Sequence, residues 1–130
     1  MIENQMINFL LVALGGALGS MLRYGAGLGV ANIWPQQHYI ATMLVNIVGC
    51  FLIGCAFAWF VLRPDSSLIA PLLLISGLLG GFTTFSTFSL DALRLFSNGQ
   101  LTQAFAYIFV SLCGGLLATW LGMMLVKSSV

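Results

Sequence analysis

The amino-acid sequence predicts an all-α integral membrane protein with four transmembrane helices. Of its 130 residues, 60% are hydrophobic and only 5% are charged, whereas soluble domains are typically about 45–50% apolar and about 25% charged. Long apolar stretches return along nearly the whole chain, and a helix needs about 20 mainly apolar residues to cross a bilayer. Because lipid offers the backbone no hydrogen-bond partners, these stretches are expected to be helices.

The four predicted spans are roughly residues 6–28, 39–62, 68–95 and 101–126. The start of the chain, residues 1–8, has no Lys or Arg and so lacks the positive region of a signal peptide, and the first apolar run is therefore expected to be mature structure. Short connections rich in helix breakers separate the spans. We therefore expect residues 1–130 to form a single four-helix transmembrane domain, packed through small residues four apart such as Gly15 and Gly19.

The charges are few and evenly divided between the two ends of the predicted bundle. The net charge is +1 without a basic cluster, which argues against nucleic-acid binding. Arg63 and Lys127 would lie at one membrane face and Arg23 and Arg94 at the other, so the usual excess of positive charge that sets orientation is absent. We expect insertion in both orientations and an antiparallel homodimer. A single orientation set by other features is the alternative.

The third span contains material that is poorly suited to a continuous helix. Gly77, Gly80 and Gly81 precede five hydroxyl residues within positions 83–89. Glycine and threonine weaken helices, and irregular backbone in a membrane is tolerated only where protein buries it or it lines a cavity. We predict a break near mid-membrane, around residues 80–84, that offers carbonyls to a cation and N–H groups to an anion. A continuous helix with hydroxyls bonded to carbonyls one turn earlier is the alternative.

Two kinds of side chain near this break can contact an anion. Phe85 and Phe88 are three residues apart and share a helix face. The positive edges of their rings can face a dehydrated anion, or the rings can simply fill an apolar surface. Asn46 is the only strongly polar side chain between Thr42 and Arg63; its amide either bonds a neighbouring helix or donates to an ion in a pore.

The fourth span carries Tyr107, Ser111, Gly115 and Thr119 at intervals of four residues. This spacing places a polar or small stripe on one face of an apolar helix. Such a stripe lines a path or packs against another helix, and the sequence leaves both interpretations open.

Groups that carry protons are absent from the middle of the predicted spans. Glu3, Asp65 and His38 fall outside the spans, and Asp91 lies near the end of the third span, where Arg94 can pair with it. Ion-coupled transporters commonly keep a carboxylate or histidine inside the membrane, so a passive pore is favoured over a small dual-topology multidrug and proton antiporter. The cysteines lie in apolar segments and no catalytic constellation is visible, so the chain is not expected to be an enzyme.

Three motifs resemble the small bacterial fluoride channels called Fluc or CrcB proteins. The most distinctive is Gly-Gly-Phe-Thr-Thr-Phe-Ser-Thr-Phe at residues 80–88, with Gly-Gly-Ala-Leu-Gly-Ser-Met-Leu-Arg-Tyr at 15–24 and Val-Asn-Ile-Val-Gly at 45–49 in the family's order. The resemblance covers essentially the whole chain. It implies passive export of fluoride from the cytoplasm, across the bacterial cytoplasmic (inner) membrane, by an antiparallel dual-topology homodimer.

The same resemblance implies roles for particular residues. A structural sodium ion would lie at the dimer interface, bound by the backbone carbonyls of Gly80 and Thr83, and Arg23 would have a structural or gating role. The residues implied to line the fluoride path are Asn46, Phe85, Ser86, Thr87, Phe88, Tyr107, Ser111 and Thr119.

Overall fold

The computed structural model describes residues 2–63 and 68–129, which are almost entirely helical. Four helical stretches in these residues are long and apolar enough to span a membrane, as the sequence predicts. The first, second and fourth spans are single helices, and the third span is composed of several helical elements. The elements are α1 (Ile2–Ile33), α2 (His38–Leu62), α3 (Ile69–Pro71), a π-helical segment (Leu72–Leu79), α4 (Gly80–Phe82), α5 (Phe85–Ser97) and α6 (Leu101–Ser128).

The first helix is longer than the sequence predicts. It continues to Ile33, so Asn32, which the sequence places in the connection, is helical. The three glycines after Arg23 do not end the helix, because each glycine costs only about 1 kcal/mol in a helix interior. The helix instead stops just before Pro35, which disfavours helical conformation in the residue that precedes it.

Glycines bring the helix backbones into direct contact, which confirms the predicted close packing. A Cβ added to Gly15 would collide with the carbonyl oxygen of Leu73, and one added to Gly77 would lie 2.9 Å from Gly15 Cα. On the other side of the bundle, a Cβ on Gly54 would collide with the Thr119 carbonyl. The most extensive packing is accordingly between α1 and the π-helical segment and between α2 and α6.

The third span is broken, but more narrowly than residues 80–84. The break consists of Thr83 (φ −83°, ψ 159°) and Thr84 (φ −154°, ψ 117°), both extended, whereas Gly80–Phe82 is helical. The glycine before the break serves packing, because a Cβ on Gly81 would collide with the Gly16 carbonyl. We define the stretch formed by α3, the π-helical segment and α4 as the first half-helix, and α5 as the second.

Most of the apolar surface points away from the bundle. In the most apolar part of each span only 11–22% of the residues are buried, and many large side chains on all four spans are exposed. A soluble protein would hide these side chains, and a lipid-embedded one does not need to. The compact core that remains is small and formed by Ala92, Leu95, Ala104 and Tyr107.

Candidate functional site

The side chain of Asn46 holds the break from the neighbouring helix. Its Oδ1 accepts a hydrogen bond from the Thr84 backbone N–H at 2.8 Å, and its Nδ2 donates to the Thr84 carbonyl at 3.0 Å. Of the two interpretations left open by the sequence, bonding to a neighbouring helix is therefore observed. The second Nδ2 hydrogen has no partner among the described residues and lies beside a cavity.

The hydroxyl groups around the break have different partners. Thr84 caps the second half-helix: its Oγ1 accepts from the Thr87 backbone N–H at 3.2 Å and donates to Thr87 Oγ1 at 3.0 Å. Ser86 Oγ lies 3.3 Å from the same Thr84 oxygen and is exposed. Thr83 and Ser89 instead donate to carbonyls one turn earlier. The alternative to a break, hydroxyls bonded to carbonyls one turn earlier, is therefore observed for Thr83 and Ser89 but not for Thr84.

Two carbonyls at the break have lost their usual helical donors. In an α-helix, the Gly80 carbonyl would accept from the N–H of Thr84 and the Thr83 carbonyl from the N–H of Thr87. The first of these N–H groups donates to Asn46 and the second to the Thr84 side chain. Free carbonyl oxygens of this kind are suitable ligands for a hard cation.

Aromatic rings form a row from the break toward one membrane face. The ring centroids of Phe85 and Phe88 are 5.6 Å apart, and those of Phe88 and Tyr107 are 5.3 Å apart. Tyr107 in turn contacts Tyr39 edge-on at 5.5 Å. Phe85 is 76% exposed whereas Tyr107 is 2% exposed. The row thus runs from the surface of the chain at mid-membrane into its interior.

A cavity of about 250 Å³ lies between α2, the break and α6. It brings together four of the predicted path residues, namely Asn46, Phe85, Phe88 and Ser111. The Ser111 hydroxyl oxygen is buried and has no hydrogen-bond partner among the described residues. The Tyr107 hydroxyl is also buried, but it lies near Thr42 and Asp91 and not in this cavity. An unpaired buried hydroxyl costs about 1–3 kcal/mol, so Ser111 presents to the cavity a donor that a bound ion or water would satisfy.

The C-terminal part of the polar stripe on α6, formed by Gly115 and Thr119, does not line this cavity. Thr119 Oγ1 donates to the Gly115 carbonyl of its own helix at 3.0 Å, and its backbone carbonyl faces Gly54. Gly115 packs against Cys50. Gly115 and Thr119 thus form the α2–α6 contact, as the packing interpretation predicts. Ser111 lines the cavity, and the path interpretation stays a prediction for Ser111 and Tyr107.

Arg23 lies at a second and larger cavity. This chamber of about 500 Å³ extends from the break, at Thr84 and Thr87, to His38 at the end of the bundle, and α1 and α2 form its walls. Arg23 and Thr87 both line this chamber, whereas Ser111 lines the first cavity. The first cavity thus holds Asn46, Phe85, Phe88 and Ser111 and the chamber holds Arg23 and Thr87, and both adjoin the break at Thr84. Three predicted path residues line neither cavity, namely Ser86, Tyr107 and Thr119.

One buried charge was not recognised as part of this interior from the sequence. Asp91 is 5% exposed, accepts a hydrogen bond from Thr42 Oγ1 at 2.7 Å, and lies 3.7 Å from Arg94. The pair with Arg94 confirms the expectation, but the burial and the Thr42 contact were missed. The signal was available, because Asp91 follows Phe88 by three residues and precedes the buried Leu95 by four, which places it on their face.

Comparisons with known proteins identify relatives of the whole chain. The family described as "CrcB-like protein, Camphor Resistance (CrcB)" matches residues 10–123. A protein of Azotobacter vinelandii named "Fluoride-specific ion channel FluC" is 52% identical over 118 residues, covering 91% of this chain and 95% of the relative. Proteins of the same name from Pseudomonas fluorescens SBW25 (49% over 118 residues; 91% and 95%) and Stutzerimonas stutzeri (51% over 116 residues; 89% and 94%) are similar.

Proposed function

We infer from these comparisons that the chain belongs to the CrcB-like family and is a fluoride channel. Relatives this similar over nine-tenths of the chain carry the same channel name, so the chain is not an enzyme, and the antiporter alternative is not supported. We propose that the break in the third span and the cavities beside it perform this function.

The cavity beside the break carries the proposal for the ion path. Its polar groups include the Asn46 amide and the unpaired Ser111 hydroxyl, and its apolar lining includes Phe85 and Phe88. Neutral donors and ring edges stabilise a small dehydrated anion without a full charge that would hold it in place. We assign these four residues to the fluoride path, with Tyr107 as its continuation and Ser86, Thr87 and Thr119 as less direct contributors.

The transport itself is passive and outward. A negative-inside potential favours the exit of an anion by about 2.3 kcal/mol per charge per 100 mV. No coupled ion is therefore needed to export fluoride from the bacterial cytoplasm across the inner membrane, where we place the protein.

The distribution of the cavities supports an antiparallel homodimer. The Arg23 chamber opens at the His38 end of the bundle, whereas the pocket found at the opposite end, around Trp59 and Val126, is apolar. The described residues of one copy thus provide a chamber, with Arg23, Thr84 and Thr87 in its lining, that joins one end of the bundle to the break. An inverted second copy would supply the other half. The even charge distribution, which does not select an orientation, agrees with this arrangement.

A sodium ion at the break is the cofactor that we propose. The Gly80 and Thr83 carbonyls have lost their helical donors to Asn46 and Thr84, and Gly80 is exposed on the surface of the chain. Such carbonyls cannot face lipid, but the same groups from two antiparallel copies would surround a hard cation. A sodium-free preparation is expected to lose most of its fluoride flux and regain it on addition of sodium, whereas full activity without sodium would exclude this role.

The proposed function is tested by ion release from liposomes. Purified protein should release fluoride rapidly when a potassium ionophore clamps the voltage and no proton gradient is present, and should release little chloride under the same conditions. Equal chloride and fluoride release would contradict a fluoride-selective path. A requirement for a proton gradient would contradict passive transport, and protein-free liposomes give the background.

A further inference from the structure

We propose that a polar cavity at one membrane face is the mouth of the fluoride path, and that Arg94 keeps this mouth passable to an anion. The proposal rests on the proposed function, because it names where that path opens. The cavity, which we call the mouth, has a volume of about 240 Å³ and lies where the α1–α2 connection meets the end of α5 and the start of α6. Its polar lining includes Gln36, Gln37, His38, Arg94, Gln100 and Gln103.

The aromatic row lies between the mouth and the inner cavity. Tyr39 lines the mouth and contacts Tyr107 at 5.5 Å. Tyr107 carries a buried hydroxyl near Thr42 and Asp91 and contacts Phe88 at 5.3 Å, and Phe88 lines the inner cavity. The polar mouth, the buried Tyr107 hydroxyl and the inner cavity therefore follow one another in space, from the end of the bundle to the break.

The floor of the mouth carries a negative charge that would oppose an anion. Asp91 lines the mouth and is almost fully buried, and like charges repel strongly where water is scarce. The hydrogen bond from Thr42 orients this carboxylate but does not neutralise it. His38 and Arg94 are the other ionisable side chains, besides Tyr39, that line the mouth.

Arg94 is positioned to compensate this charge. Its Nη1 lies 3.7 Å from Asp91 Oδ1, and its side chain is 64% exposed whereas that of Asp91 is 6% exposed. The guanidinium therefore faces the water of the mouth while it remains paired with the carboxylate. An approaching anion therefore meets the exposed guanidinium of Arg94 first, and the same guanidinium offsets the negative charge of Asp91 behind it. Arg94 is in this sense a positioning residue that acts through Asp91 and through the field of the mouth.

The first test removes the compensating charge. Arg94→Gln should lower fluoride flux by about tenfold, because an unpaired Asp91 would then repel the permeating ion, while Arg94→Lys should retain most of the flux. The double variant Arg94→Gln with Asp91→Asn, which is neutral at both positions, should conduct clearly faster than Arg94→Gln. Native-like flux in Arg94→Gln, or a double variant no faster than it, would overturn the role of Arg94.

The second test places charge in the mouth of an otherwise native chain. Gln103→Cys is modified with a negatively charged, a neutral or a positively charged methanethiosulfonate of similar size. The negative adduct should lower fluoride flux several-fold relative to the neutral one, the positive adduct should not, and the difference should shrink at high salt. Thr102→Cys, exposed beside it but outside the mouth, is the matched control and should show no dependence on charge. The native chain, with its own cysteines, gives the background reaction.

The outcomes separate the mouth from the channel function. Equal flux with all three adducts of Gln103→Cys, while the unmodified variant still selects fluoride over chloride, would reject the mouth and leave the proposed function intact. Loss of fluoride selectivity in the native chain itself would reject the proposed function. A misfolded variant is recognised by a changed elution volume in gel filtration, and the adduct series then decides, because each adduct is compared on the same folded protein.

Discussion

The side-chain amide of Asn46 meets the two backbone groups of Thr84 that neither half-helix satisfies. Both contacts are short, at 2.8 and 3.0 Å. Leaving either Thr84 group unpaired in the membrane would cost about 1–3 kcal/mol. Asn46 therefore stabilises the extended conformation that frees the carbonyls of Gly80 and Thr83, and its remaining Nδ2 hydrogen stays available to the cavity. One side chain thus serves both the fold and the proposed path.

The two phenylalanines provide the residue-scale prediction. Phe85→Ile and Phe88→Ile should each lower fluoride flux several-fold, since losing a favourable ring-edge contact of about 1 kcal/mol corresponds to roughly a fivefold change. Neither change should dissociate the proposed dimer, which gel filtration checks. Phe88→Ile should also lower stability more than Phe85→Ile, because Phe88 packs against the core whereas Phe85 is exposed.

The control is Phe109→Ile on α6, an exposed ring that lines none of the cavities described above. Its flux should match that of the native chain. Unchanged flux in both Phe85→Ile and Phe88→Ile would instead show that these rings only fill an apolar surface.

At the scale of elements, the third span packs closely against α1 before the break and adjoins two cavities at the break. Gly77 and Gly81 let its first half-helix contact the backbone of α1. The π-helical turns place the Gly80 N–H on the Ile75 carbonyl, a spacing typical of functional sites in helices. The second half-helix begins at the Thr84 cap. Because the first half-helix is fixed by backbone contact, the break has a defined position in the membrane.

The packing of the glycines predicts different effects on stability for two glycine substitutions. Gly81→Ala should lower the free energy of unfolding of the purified protein by about 1–3 kcal/mol, because its Cβ would collide with the Gly16 backbone. Gly29→Ala should be neutral or stabilising, since nothing lies within 4 Å of the position that its Cβ would occupy and alanine favours helix. Unfolding followed by tryptophan fluorescence in detergent measures both. A Gly81→Ala variant as stable as Gly29→Ala would contradict the proposed close contact.

At the scale of the whole molecule, the polar surfaces are incomplete in a single copy. The Arg23 chamber reaches only from one end of the bundle to the break, and the exposed Gly80 leaves polar backbone on the outside of the chain. Lipid cannot satisfy such groups. A second inverted copy would bury them and complete a route through the membrane.

Dual topology gives the whole-molecule prediction. Thr102→Cys lies at the start of α6, exposed near one membrane face. In sealed vesicles, about half of the introduced thiols should react with an impermeant maleimide and the remainder only after the membrane is opened, as two opposite orientations require. The native chain corrects for its own cysteines. Complete labelling, or none, in sealed vesicles would show a single orientation and exclude the antiparallel dimer.

The sequence by itself determined the four spans, the presence of a break in the third, and the residues around Asn46, Phe85 and Phe88, because lipid imposes strict demands on composition and on every backbone group. The single-domain organisation of residues 1–130 stays a prediction. The distinctive motif at residues 80–88 also indicated the family, which the comparisons confirm.

Only the tertiary structure decided how these residues are used. It narrowed the break to Thr83 and Thr84, divided the α6 stripe between the cavity and helix packing, and placed Asp91 inside the bundle. Glycines illustrate the physical reason. Gly80 and Gly81 weaken a helix wherever they occur, but whether they break it or let another helix approach depends on the neighbouring backbone, which the local sequence does not contain.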